Sequence, residues 1–366
     1  MAAPRPDSCR LSLDDLGCLM RGASVLGTGG GGSFAVGRLR LQALGATRPL
    51  LVPLEALAAL GPDALGVTVG MLGGGLTGAE VARMEAGQAE PLALRAARAL
   101  ERVLGRRLDF VYAAELGPQN TLEALALGAM LDLPVPDGDC AGRAVPELGQ
   151  TTLELGRVAP APFVLAGFQG DRLVVAEAGP DRAEQLCRAM AVASGGLVCF
   201  VGYPLDGRRA QEVLIRGSLS HCLAMGREIG PGRWPGAALA SLGGGRVAFR
   251  GRVAAFEVAG GDGFFRGHLG LDGTGPFAGS RYRVGIQNEF MWAWRDGVLD
   301  IRCPELICVV DSASGLGKVT YGNGFENAVA MGEDLTVLQL PAAEVWRSDA
   351  GRRRFPPPPL PPEEPG

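Results

Sequence analysis

The densest polar segment of the chain is Pro134-Val135-Pro136-Asp137-Gly138-Asp139-Cys140-Ala141-Gly142-Arg143-Ala144-Val145-Pro146-Glu147. Its prolines stiffen the backbone and its glycines permit close approach. Asp137 and Asp139 could share a cation, or split acid and base roles as their pKa values are driven apart. Arg143 could hold an anionic substrate in a bidentate grip. The plainer alternative is a salt-bridged structural loop in which Arg143 neutralises both aspartates. Glu115 and Asn120 flank the turn Gly117-Pro118-Gln119. There Glu115 reads as a base or metal ligand and Asn120 as a donor to a carbonyl, against a surface carboxylate and an Asx turn. Gln287-Asn288-Glu289 breaks the alternation of Val284, Ile286, Phe290, Met291 and Trp292. It reads as a site lip, a domain contact or a solvent-facing patch.

Histidine offers little. His221 and His268 are the only two, and they lack ligand spacing. Zinc normally takes several His or Cys ligands, so carboxylates would dominate any metal site here and would suit a harder divalent ion. His221-Cys222 is a poor base–nucleophile dyad, because neighbours on a helix point in different directions.

These residues need elements to position them. Ser12 with Asp15 forms a capping-box variant that opens a helix running toward Val25. It ends at the glycine run 27–32, and a second helix is predicted over 34–44. Helix–loop–helix order, with no P-loop lysine, rules out a nucleotide loop here. Residues 66–72 read as a buried strand entering Gly73-Gly74-Gly75. Thr77 and Glu80 then cap a helix over 78–87. That turn is an anion site on free N–H groups and a helix dipole, or an ordinary tight connection. A helix over 92–104, a strand over 109–116 and a helix over 122–131 follow.

Alternating strands and helices predict an α/β unit with a largely parallel sheet over 10–165. Ligands of such sheets lie at the carboxyl ends of the strands, where Gly73–Gly75 and Glu115 fall. Beyond it come a hairpin over 163–178, a helix over 182–193, a strand over 197–203 and a helix within 213–229. Strands at 246–258, 264–271, 282–294, 306–311 and 335–340 make 166–350 a β-rich α+β domain. The last 16 residues, 351–366, read as a disordered proline-rich tail.

Composition narrows the function. Of 366 residues 57 are glycine, about twice the usual ~7%. The formal net charge is −4 and aromatics make up 6%, so the basic footprint and stacking platforms of a nucleic-acid binder are missing. No apolar run reaches ~18 residues, and the N-terminus has no signal-like apolar region. The eight cysteines form no C-x-x-C pair. A cytoplasmic protein with reduced thiols, off the membrane, is expected.

Several segments together resemble the S-methyl thiohydantoin desulfurase domain family. They are GTGGGG at 27–32, VGMLGGG at 69–75, AELGPQN at 114–120, PVPDGDCAGRAVPEL at 134–148, GSLSHCLAMGREIG at 217–230, FRGRV at 249–253, QNE at 287–289 and PELICVVD at 304–311. The chain departs from the family pattern at Leu76, Cys140 and His221 and in its C-terminal ending. The resemblance implies an α/β N-terminal part, a β-rich C-terminal part and association with a hydantoinase- or oxoprolinase-type partner. It implies a small heterocyclic substrate, a thiohydantoin whose exocyclic sulfur is replaced by oxygen from water. On the matching positions, Asp137 or Asp139 would be base or metal ligand. Arg143 and the Gly73, Gly74 and Gly75 amides would steady the anion. Glu115 and Asn120 would hold the ring edges, with Glu147, Gln287, Asn288 and Glu289 completing the substrate site. The competing functions are a non-catalytic accessory subunit of a hydantoinase-type complex and a metal-dependent amidohydrolase. Homo-oligomerisation fits either.

Overall fold

The computed structural model describes residues 8–74, 76–229, 235–261, 264–321 and 325–354. Local signals set the first elements. Ser12 accepts the N–H of Asp15 and the Asp15 carboxylate accepts the N–H of Ser12, opening the helix Leu13–Leu26. Thr77 and Glu80 cap Gly78–Ala86 in the same reciprocal way. Helices Phe34–Leu44 and Leu92–Leu104 have the bounds read from the sequence.

The N-terminal part is α/β, as expected, and its main sheet is mixed. In order across the sheet its seven strands are Ile215–Arg216, Gly138–Asp139, Phe110–Ala113, Leu65–Gly73, Leu197–Asp206, Phe163–Ala166 and Arg172–Val175. Parallel pairing joins Leu65–Gly73 to Phe110–Ala113 and the latter to Gly138–Asp139. Every other pairing in this sheet is antiparallel. The break expected near residue 165 therefore falls inside the strand Phe163–Ala166, and the sheet keeps taking strands as far as Arg216. A hairpin's turn is a local signal, but the sheet it joins is a long-range choice that no local pattern encodes.

The C-terminal sheet is wholly antiparallel. Its seven strands run in the order Val298–Arg302, Glu289–Arg295, Arg281–Gln287, Phe264–Gly273, Arg246–Gly261, Asp334–Leu340, Leu306–Asp311. The single strand expected over 282–294 is two strands, folded back at Asn288 with φ +57°. Asparagine tolerates this left-handed conformation better than most residues. Within the tail expected from residue 351, residues 351–354 are instead helical, as part of Asp349–Arg354, and Arg354 pairs with Glu154 at 3.1 Å. Residues 355–366 lie outside the described residues.

One close contact joins two segments about 200 residues apart. The helices Leu13–Leu26 and Ser218–Glu228 cross at Gly22 and Gly226. A Cβ on Gly22 would lie 1.8 Å from the Cys222 carbonyl oxygen, and one on Gly226 would lie 1.6 Å from that of Cys18. Only glycine allows this approach. It buries Leu16, Leu19, Leu219 and Met225 completely, each contributing about 1.5–3 kcal/mol. The same core runs on into Met291, Trp292, Cys308 and Leu338 of the C-terminal sheet. No helix among the described residues is long and apolar enough to cross a membrane.

Candidate functional site

The parallel strands Leu65–Gly73 and Phe110–Ala113 end at one edge of the sheet. There a cavity of about 300 Å³ is lined by Met71, Leu72, Gly73 and Gly74 from the first strand and its turn, and by Glu115 just past the second. The start of the helix Asn120–Leu131 and the Gly31-Gly32-Ser33 loop ahead of Phe34–Leu44 form another wall. Both walls are helix N-termini, so the cavity sits in a field that favours negative charge. Phe265, Asn288 and Glu289 of the C-terminal sheet close it, with Tyr321 and Phe325 from the connection between Leu306–Asp311 and Asp334–Leu340.

Two carboxylates line this space in different environments and feel each other's charge. Glu115 Oε1 accepts from Asn120 Nδ2 at 2.6 Å, and Oε2 accepts the Val145 N–H at 2.8 Å. Burial pushes Glu115 up to about 7 against those two hydrogen bonds. Glu289 is only 4% exposed, and its Oε2 has no hydrogen-bond partner among the described residues. Burial first, then the charge of Glu115, pushes it up to about 8, with Arg143 opposing. A buried carboxyl with one oxygen left without a partner holds its proton. Near neutral pH the pair therefore carries a proton on Glu289 and is poised to take one on Glu115.

The surroundings explain why the neighbours have the types they do. Asn120 Oδ1 accepts the Met71 N–H at 2.9 Å while its amide holds Glu115, so it positions the carboxylate and is not free to meet a substrate carbonyl. In the glycine run, a Cβ on Gly30 would lie 2.4 Å from Glu289 Oε1. The missing side chain there makes room for the carboxylate. Gly31, at φ +69°, passes Gly117 so closely that a Cβ would lie 2.5 Å from its Cα. The run is thus a packing device between the two sheets. Gly73 and Gly74 line the cavity, but the Gly74 N–H already donates to the Gly196 carbonyl at 3.0 Å. Gly75 lies outside the described residues.

An aromatic wall stands beside Glu289. Phe265 and Tyr321 meet edge to face at 5.8 Å, and Tyr321 and Phe325 lie 5.1 Å apart. Burial, then the charges of Glu289 and Glu115, hold the Tyr321 phenol neutral by raising its pKa. Arg188 reaches the opposite wall, paired with Glu184 at 2.6 Å and donating to the Pro146 carbonyl at 2.9 Å. Sequence reasoning singled out neither Tyr321 nor Arg188. Arg188 lies in the helix expected over 182–193 and Tyr321 between the strands expected over 306–311 and 335–340, and no spacing marks either.

The acidic loop is placed elsewhere. Asp137 Oδ1 accepts the Ser220 N–H at 2.9 Å and so supplies the N-terminal cap that Gly217 cannot give the helix Ser218–Glu228. Asp139 is fully buried. Its Oδ2 accepts the N–H groups of Ala141 and Gly142 at 2.9 and 2.7 Å, and burial pushes it up to about 6 against them. Arg143 donates to the carbonyls of Ala144 and Pro304, both at 3.1 Å, tying the loop to the C-terminal sheet. Asp137, Asp139, Arg143 and Gln287 do not line the cavity, and Glu147 lines a smaller adjoining chamber. The loop's polar density serves backbone amides and carbonyls. Asp137→Asn retains an oxygen for the Ser220 N–H but loses the charge at the helix N-terminus. We expect a loss of about 0.5–1 kcal/mol in urea unfolding with turnover of the folded protein unchanged. A hundredfold fall in turnover would return Asp137 to the chemistry.

No three His, Cys, Asp or Glu side chains converge as a metal site among the described residues. His221 is half-buried, its pKa lowered by burial.

Two family models match consecutive stretches of the chain. The S-Me-THD-like N-terminal domain covers residues 14–177 and the S-Me-THD-like C-terminal domain covers 178–358. A crystal structure of a protein from Chromobacterium violaceum superposes with a TM-score of 0.77 at 22% identity, over 95% of each chain, and so has the same fold. No curated protein matches.

Proposed function

The chain belongs to the S-Me-THD-like family, and on that premise we propose that its cavity hydrolyses a thiohydantoin-type ring, replacing exocyclic sulfur by oxygen. The observation that carries this reading is the pair Glu115 and Glu289, two carboxyls in one cavity with pKa values raised to about 7 and about 8. Replacing sulfur by oxygen needs a base and an acid in the same cycle. The aromatic wall of Phe265, Tyr321 and Phe325 offers a flat ring a surface to lie against.

The steps balance without an added reactant. Ionised Glu115 takes a proton from water as the oxygen bonds to the ring carbon, and the C=S pair moves onto sulfur. Glu289 gives its proton to that sulfur. The tetrahedral intermediate then returns its hydroxyl proton to Glu289 as the C–S bond breaks and the carbonyl forms. Hydrosulfide leaves with the proton that Glu115 holds. Both carboxyls end as they began, and the products are the oxo ring and hydrogen sulfide. Helix N-termini facing the cavity favour the negative charge that develops on sulfur.

Turnover of 2-thiohydantoin in ¹⁸O-water tests the reading. One hydrogen sulfide should appear per ring consumed, with one ¹⁸O in the product carbonyl. Ring opening without sulfide, or binding with no turnover, would overturn it.

A further inference from the structure

A second space, of about 60 Å³, adjoins the cavity on the far side of Glu115. The two share Met71, Leu72, Glu115, Asn120, Val145 and Pro146 as wall. The chamber's floor is Gly70 and Ala114, and its end is closed by Leu153, Phe200 and Tyr203. Two hydroxyls on its wall are already spent. Thr68 Oγ1 donates to the Tyr112 carbonyl and Thr151 Oγ1 to the Leu148 carbonyl, both at 3.0 Å. A water molecule needs two to four polar partners and a share of about 30 Å³. The chamber has room for about two methyl-sized groups and offers them a mainly apolar surface.

Gly70 keeps it open. This residue lies in mid-strand, paired with Phe200, and its φ is not left-handed. A Cβ there would meet only Ala114 Cβ at 3.8 Å and Asn120 Cγ at 4.0 Å, which is ordinary contact. Neither backbone nor packing requires glycine at this position, although glycine weakens a strand. What its missing side chain leaves is the floor of the chamber.

We propose that the chamber is a specificity pocket for the ring substrate. It receives one small, uncharged, apolar substituent of up to about two carbon atoms, carried on C5, two bonds from the ring carbon that Glu115 serves. This rests on the ring-directed reading above. A methylene that fits such a pocket changes kcat/KM by about tenfold or more, and one that overfills it reverses the gain.

Two measurements on wild type and Gly70→Val test it. Crystals under xenon pressure should show xenon in the wild-type chamber and none in the variant. Ordered water held by Glu115 and Glu147 in place of xenon would overturn the proposal without involving any ring. Among 2-thiohydantoins carrying hydrogen, methyl, ethyl or isobutyl at C5, wild type should prefer ethyl to hydrogen by about tenfold and lose the gain at isobutyl. In Gly70→Val, kcat/KM should fall at least tenfold further for the ethyl ring than for the unsubstituted one. Equal losses on all rings, or a filled chamber that alters no preference in turnover or in binding, would overturn it. Failure of every ring to turn over while xenon still binds would fall on the functional reading alone.

Discussion

Glu289→Gln lowers kcat for thiohydantoin hydrolysis by roughly 10²–10⁴-fold, and the same variant unfolds at a higher temperature than wild type at pH 8. The first effect follows because glutamine can neither give a proton to sulfur as water adds nor take one from the hydroxyl as the C–S bond breaks. The second follows from burial. Glu289 titrates at about 8 in the fold and near 4.3 when exposed in the unfolded chain. The stability it contributes as a neutral acid is fully present below the unfolded value and is lost as pH rises through about 8. Glutamine stays neutral across that range. The variant's advantage therefore grows from about pH 5 to about pH 8, at no more than about 1.4 kcal/mol per pH unit. Sulfide release at pH 7.5 and thermal unfolding at pH 5 and pH 8 check the two halves. A residue that costs stability while serving chemistry is the expected signature of a site.

Glu115→Gln brings a comparable loss, roughly 10²–10⁴-fold, by a different route. The amide cannot accept a proton from water. Asn120 Nδ2 still finds an oxygen, but the Val145 N–H then faces an amide nitrogen, so one hydrogen bond disappears at about 1 kcal/mol. At pH 5, where burial keeps Glu115 protonated in the fold, this lost hydrogen bond shows as a slight fall in stability, while activity at pH 7.5 falls steeply. As pH rises toward 7 the relief of a buried charge offsets that loss in Glu115→Gln as well. Sulfide release and urea unfolding measured together give both numbers.

Much of the fold was legible because its signals are local. The reciprocal caps at Ser12–Asp15 and Thr77–Glu80, the helix over 92–104 and the strand over 306–311 need only a few neighbouring residues to declare themselves. The sheet to which residues 163–216 belong did not show, since pairing across the chain leaves no short-range mark. The site divides in the same way. Glu115 could be placed at the carboxyl edge of a parallel strand. Glu289 could be noticed only as an interruption of alternation, because its environment is made by a strand reversal at Asn288 and by Gly30 and Glu115, both far from it in sequence. Asp137 and Asp139, the first candidates of the sequence, lie outside the lining of the cavity. A loop that caps a helix and binds its own amides gathers the same residue types as a catalytic loop, and only the hydrogen-bond partners tell them apart.

The central claim is that Glu115 acts as base and Glu289 as acid in one cavity. The pH dependence of kcat/KM for 2-thiohydantoin in wild type and both variants tests it most directly. A base must be ionised, so activity falls as pH drops through about 7. An acid must be protonated, so activity falls as pH rises through about 8. The account predicts a narrow bell with its maximum between those values, residual activity without the acidic limb in Glu115→Gln, and residual activity without the basic limb in Glu289→Gln. A profile flat from pH 6 to pH 9, or a bell that survives both substitutions, would contradict it.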